Sequence, residues 1–292
     1  GAGTEYLYNL IVQLLGRDKV FGLEQPGYPK AGKVYALNGA QCVPLTMDEQ
    51  GVRVECVEDS GAQVIHLSPS HQFPSGVVTP IARRQSLLRW AQDREGRYII
   101  EDDYDSEFRF TGRPIPAMKS IDAAGRVIYM NTFSRSLAPS LRVSYMVLPP
   151  SLMEEYPRRL GFYSCTVPAM EQYTLASFLE EGYFESHVNR MRVFYRNRRD
   201  EVLAAIGQSP LSGRCRVLGE EAGLHFLLEL ETEREDSWLS REMEARGVRL
   251  SFLTDYQQRP EAAPLHTLVV NYPGTAPARL APALALLAGL LD

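Results

Sequence analysis

The stretch Tyr98-Ile99-Ile100-Glu101-Asp102-Asp103-Tyr104-Asp105-Ser106-Glu107-Phe108 passes from three apolar residues directly into five carboxylates within seven positions. The apolar start predicts a buried strand. Five carboxylates crowded at its end repel one another and are costly to bury, so something must compensate them. Three readings remain open at this point. The segment is a solvated turn. It is a divalent-cation site on Asp102, Asp103 and Asp105, as in a metal-dependent enzyme. Or one strand-end Asp holds a protonated heterocyclic nitrogen, with a nearby Tyr as hydrogen-bond partner.

Further β-rich runs flank this one: Gln63–Pro69, Arg126–Phe133 and Val143–Leu148. Between them lies a helical stretch, Ile81–Asp93, with an apolar stripe of Ile81, Leu87, Leu88 and Ala91 and its arginines mostly elsewhere. Alternating strand and helix predicts an α/β fold with a mainly parallel sheet covered on both faces, and ligands in such sheets sit beyond the carboxyl ends of the strands. A long helical stretch follows from Val167 to Gly207, broken near Gly182, with a basic second half that reads as a solvated face or a subunit contact. A Ser/Pro/Gly turn at Pro210–Gly213 predicts a boundary between a large domain, residues 1–209, and a smaller α+β domain, residues 210–292. In the smaller domain, strands are expected near Arg214–Leu218, Leu224–Leu230, Val248–Phe252 and Thr267–Tyr272, and helices near Ser237–Arg246 and Ala276–Leu291.

The 292 residues carry 31 Lys plus Arg against 36 Asp plus Glu, a net charge of −5, so this chain alone is poorly suited to grip DNA. No apolar run is long enough to span a bilayer and the first residues show no secretory pattern, which predicts a cytoplasmic protein without a membrane partner. The four cysteines are widely spaced and signal neither zinc nor a disulfide framework. Lysine is scarce: Lys19, Lys30, Lys33 and Lys119 are the only four.

Four more constellations follow strands or open helices. Asn131 to Arg142 places hydroxyls at Thr132, Ser134 and Ser136 before a guanidinium, a ring suited to a phosphate or simply a polar loop. His71 sits in a strand-to-turn segment, as a ligand contact or a satisfied structural residue. Pro26-Gly27-Tyr28-Pro29-Lys30 is a rigid turn presenting an aromatic ring and a cation. Gly3-Thr4 precedes a helical stretch whose free N–H groups could hold a phosphate.

In order and spacing, PGY, HQFPSG, IIEDDYDSEF, TFS-x-SLAPSLR, YMVLPP and AGLHF resemble the aminotransferase-like domain of MocR-type transcriptional regulators of the GntR family. More distantly they resemble the fold-type I pyridoxal 5′-phosphate (PLP) aminotransferases. The resemblance implies a seven-stranded, mainly parallel sheet in the large domain and a homodimer. It implies that Asp102 pairs with the pyridine nitrogen, Tyr104 bonds the 3′ oxygen and Tyr28 lies near the ring. Gly3, Thr4, Thr132, Ser134 and Arg142 would surround the phosphate, and His71 would be a further cofactor contact.

The family's Schiff-base lysine follows TFS, and here that position is Arg135. A guanidinium stays protonated and delocalised, so no catalytic residue remains and PLP is expected to be held without a covalent bond or lost. Lys30 and Arg135 become candidate contacts for an effector, an amino acid or a PLP-like anion. Near Leu265, His266, Thr267 and Leu268 the family's second carboxylate-binding Arg is also missing. The expectation is an effector-sensing domain without transaminase turnover and without a metal, its DNA contacts made by an N-terminal winged helix-turn-helix outside this chain. The start of the aminotransferase-like domain is likewise expected to precede residue 1. The alternative is a working PLP aminotransferase in which Arg135 is an engineered change or another lysine acts.

Overall fold

The computed structural model describes residues 1–110, 115–257 and 266–292; Leu265 lies outside them. Helix α1 (Thr4–Leu15) leads into β1 (Val20–Gln25), then α2 (Pro29–Leu37), β2 (Gln41–Asp48), β3 (Gly51–Val52), α3 (Val54–Asp59) and β4 (Val64–Leu67). Next come α4 (Ile81–Gln92), β5 (Tyr98–Asp102), β6 (Val127–Thr132), the one-turn α5 (Phe133–Ser136) and β7 (Ser144–Val147). Seven strands form one sheet in the order β3-β2-β1-β4-β5-β6-β7. The pairs from β2 to β6 are parallel, and β3 and β7 add antiparallel edges. The expected α/β fold with a mainly parallel seven-stranded sheet is present.

Consecutive strand residues point to opposite faces. Val64, Ile100 and Ile128 therefore join the core under α1 and α2, while Ile65, Ile99 and Val127 join the core under α3 and α4. Both faces are covered, which is why these strands read as continuous apolar runs rather than alternating ones. Each buried Ile or Val contributes about 1.5–3 kcal/mol. The chain winds outward from β1 to β3, returns to β4 beside β1 and continues the other way, so the sheet's switch point lies between β1 and β4.

Beyond β7 run α6 (Pro150–Leu160), α7 (Ala169–Glu180) and α8 (Tyr183–Gly207). The expected break is a left-handed Gly182, φ 75°, between α7 and α8. A second, antiparallel sheet follows, formed by β8 (Cys215–Leu218), β9 (Phe226–Leu230) and, after α9 (Asp236–Ala245), β10 (Thr267–Val270); α10 (Pro277–Ala288) closes the chain. Its core includes Val202 and Ile206 from the end of α8.

Two local expectations need correction. Val248–Phe252 is not a strand: only Phe252 bridges to Leu268, because a backbone bond from Val269 to Ser251 is not continued into a ladder. In α4, Ile81 is exposed and Arg84 is fully buried. Arg84 faces inward because it donates to the carbonyls of Thr79, Pro116 and Pro69 and lies 3.9 Å from Glu101. Replacing Arg84 by Met is expected to leave three carbonyls and a buried carboxylate uncompensated, lowering unfolding free energy in urea by about 3–5 kcal/mol.

Candidate functional site

The carboxyl ends of β1, β4, β5 and β6 open onto a cavity of about 860 Å³, a volume suited to a small ligand. Strand ends contribute Glu24, His66, Asp102 and Thr132 to its wall. Thr4, Glu5 and Tyr8 come from α1, Tyr28, Lys30 and Lys33 from the start of α2, and Tyr104, Ser134, Arg135 and Arg142 from the segments after β5 and β6. Ten of the sequence-selected residues thus reach or border one cavity: Thr4, Tyr28, Lys30, Asp102, Tyr104, Thr132, Ser134, Arg135 and Arg142 line it, and Gly3 lies beneath Arg142.

The acidic run is not a solvated turn, because Glu101, Asp102, Asp103 and Asp105 are all buried. Nor do its carboxylates converge on a shared cation. Glu101 turns to the backbone N–H groups of Met118 and Lys119, and Asp103 accepts from the hydroxyls of Tyr129 and Ser106. Asp105 lies 3.0 Å from His71 Nδ1. Asp102 alone faces the cavity.

Asp102 Oδ2 accepts from Tyr8 Oη at 2.6 Å and lies 3.3 Å from His66 Nε2, while His66 Nδ1 is 2.8 Å from Tyr35 Oη. Burial, reinforced by the Asp102 charge, pushes both phenols upward, so they remain donors. With Oδ2 supplied by Tyr8 and His66, Asp102 Oδ1 is buried without a hydrogen-bond partner, an acceptor suited to a ligand N–H. Sequence reasoning missed Tyr8, His66 and Glu24. Tyr8 follows Thr4 by one helical turn and His66 lies near the end of an identified strand, so both signals were available in the pattern.

His71 does not line this cavity. It forms a buried cluster with Asp105 and His225 whose donor atoms lie within 4.8 Å of one another. Arg84 and Arg109 line a small space together with His71 and Asp105, which disfavours a cation beside those two, and Asp105 also accepts from Leu224 N–H. Burial and the neighbouring His71 hold the His225 imidazole down to about 3, so it is neutral. From behind, His71 Nδ1 approaches Tyr104 Oη at 3.2 Å. Its observed place is as a support of Tyr104.

At the other end of the cavity, Thr132 caps α5 by accepting from Ser134 N–H. Arg142 Nη1 lies 3.4 Å from Ser134 Oγ, and its Nη2 lies 3.0 Å from Glu5 Oε2. Gly3 has φ 95°, and a Cβ there would stand 2.2 Å from Arg142 Nη2, so only glycine permits the guanidinium to lie over the first turn of α1. Lys30 Nζ is 2.9 Å from Glu5 Oε1, which raises the ammonium above its ordinary range. Lys119 points away, donating to the Val127 carbonyl.

Residues 1–256 match the family described as aminotransferase class I and II. The HTH-type transcriptional regulator YdeL of Bacillus subtilis is 38% identical over 94% of this chain and 58% of its own length. The probable rhizopine catabolism regulatory protein MocR of Rhizobium meliloti is 33% identical over 94% of this chain and 55% of its own. The chain therefore spans little more than half the length of these curated relatives. Among solved structures, the Pyrococcus horikoshii kynurenine aminotransferase superposes with a TM-score of 0.85 at 25% identity, covering 99% of this chain and 73% of that one. Among the described residues, no helix is long and apolar enough to cross a membrane.

Glu24 lines the cavity as a half-buried carboxyl raised from 4.5 to about 8, chiefly by its removal from water and further by the Asp102 charge, against hydrogen bonds from Gln72 and Ser68. A raised folded-state value contributes stability that is complete below about pH 4.5 and lost as pH rises through about 8. Urea midpoints are expected to fall across that window, and Glu24→Gln is expected to flatten this part of the profile.

Proposed function

The chain belongs to the aminotransferase class I and II family, and on that premise we propose that it is the effector-sensing domain of a MocR-type regulator of the GntR family. It binds an amino acid or a PLP-like anion and carries out no transaminase turnover. The supporting observation is one cavity that combines Asp102, with its unpartnered Oδ1, and the guanidinium groups of Arg135 and Arg142. The relatives described as transcriptional regulators support the regulatory half of the reading.

The residues fit PLP held without a covalent bond. Asp102 would take the pyridine N–H, Tyr104 the 3′ oxygen, and Tyr28 a face or edge of the ring. The first turn of α1 at Gly3 and Thr4, with Thr132, Ser134 and Arg142, would take the phosphate. When bound, PLP supplies an electron-withdrawing ring and a reactive aldehyde. Arg135, in the position of the family's lysine, offers a delocalised guanidinium in place of a nucleophilic amine and so does not add to that aldehyde, whereas it can grip a carboxylate by two parallel N–H donors. Lys30 does not replace the lysine, since Glu5 holds its ammonium protonated. His71 is left out of the ligand shell.

A ligand that binds one arrangement of residues 1–209 and 210–292 more tightly than another shifts the balance between them, and with it an N-terminal DNA-binding module carried elsewhere in the full protein. The protein acts in the cytoplasm as a homodimer. Phe162, Met170 and Tyr173, each more than three-quarters exposed around α6 and α7, supply apolar surface for that contact.

Two measurements test this. After incubation with PLP, the visible absorbance is expected to be removable by dialysis, with no borohydride-fixed adduct by mass spectrometry; Arg135→Lys is expected to yield one at position 135. A fixed adduct on Lys30 or Lys33 of the unaltered chain overturns the non-covalent reading. Sedimentation is expected to show a dimer that Tyr173→Glu shifts to monomer, and an unaltered monomer at high concentration refutes the homodimer.

A further inference from the structure

The anion-binding end of the cavity already contains an anion that belongs to the protein. Glu5 puts one oxygen on each of two cations from different elements: Oε1 lies 2.9 Å from Lys30 Nζ and Oε2 3.0 Å from Arg142 Nη2. Its side chain is about one-third exposed, so it has water to turn into. A Cβ built on Gly3 would lie 2.2 Å from Arg142 Nη2 and 3.1 Å from Glu5 Oε2, so guanidinium and carboxylate share the space over the same glycine. No side chain caps α1, so the first turn's N–H groups and dipole favour a negative charge near that space.

We propose that Glu5 is a built-in counter-anion that competes with an incoming phosphate for Arg142 and Lys30 and thereby sets the charge of ligand the cavity accepts. The inference rests on the anion-binding reading above and concerns a residue to which that reading gives no contact with the ligand. With Glu5 in place, the three side chains sum to one positive charge, a match for a monoanionic carboxylate. With Glu5 turned to solvent, Arg142 and Lys30 offer two positive charges, a match for a phosphate dianion. Binding of a phosphate therefore includes breaking two ion pairs, and a carboxylate ligand leaves them intact.

The test is calorimetric titration of the full chain with inorganic phosphate at low salt and mildly alkaline pH, where phosphate is mostly a dianion. Glu5→Gln keeps the side-chain shape and removes the charge, and is expected to tighten phosphate binding about tenfold. Glu5→Ala, which cannot rebuild the bridge through an amide, is expected to act in the same direction. Adding Arg142→Gln to Glu5→Gln is expected to cancel the gain. Phosphate affinity that is unchanged or weaker in both Glu5 variants, while Arg142→Gln still weakens it, overturns the role of Glu5 and leaves the anion site standing. Phosphate binding indifferent to Arg142→Gln in every background overturns the anion site itself, and this inference with it.

Discussion

The site depends on how β5 disposes of its charge. A strand buried on both faces has no solvent side on which to leave acidic residues, so each carboxylate at its end must find its own donors. Glu101 takes two backbone N–H groups under Arg84, Asp103 takes two hydroxyls, and Asp105 takes an imidazole and a backbone N–H. Only Asp102 is turned toward the cavity, and it arrives there half satisfied by Tyr8 and His66. Removing the like charges to separate partners is what allows one of them to stay available.

The cavity lies where the sheet reverses its winding, so segments far apart in the chain converge on it. Thr4 and Tyr8, Glu24 and Lys30, Asp102 and Tyr104, and Thr132 and Arg142 line it together because the carboxyl ends of β1, β4, β5 and β6 lie side by side in the sheet. Its two ends differ in character. Asp102 and Tyr104 present oxygen to a ring-like ligand, and Arg142, Ser134 and the start of α1 present donors to an anion.

Much of this was legible in the sequence, and the limits have physical causes. β4, β5 and β6 announce themselves as apolar runs because both faces are covered. β1 and β2 do not, since Gly22, Glu24 and Pro44 interrupt them, and Pro44 is tolerated because β3 pairs β2 only at Met47 and Asp48, which leaves the side of β2 away from β1 without a ladder at Pro44. The acidic run was conspicuous, yet its division among four sets of partners depends on the pleat and on Arg84, whose burial contradicts its place among the outward arginines of a helix pattern. The gathering of Asp102, Thr132 and Arg142 could be expected from strand ends. His71 could not be separated from them by sequence, because its partner Asp105 lies in the same motif as Asp102.

Helix α8 has a mechanical consequence. It starts against the turn that carries Arg135, with His187 Nε2 donating to the Ser136 carbonyl and Phe184 edge-on to Phe133. It ends with Val202 and Ile206 inside the core of the second sheet. Twenty-five residues at a rise of 1.5 Å make a strut about 37 Å long, stiff compared with the loops beside it. A tilt of a few degrees where that strut meets Ser136 would displace its far end by ångströms, which gives the proposed sensing a lever between the guanidinium turn and the core of the second sheet.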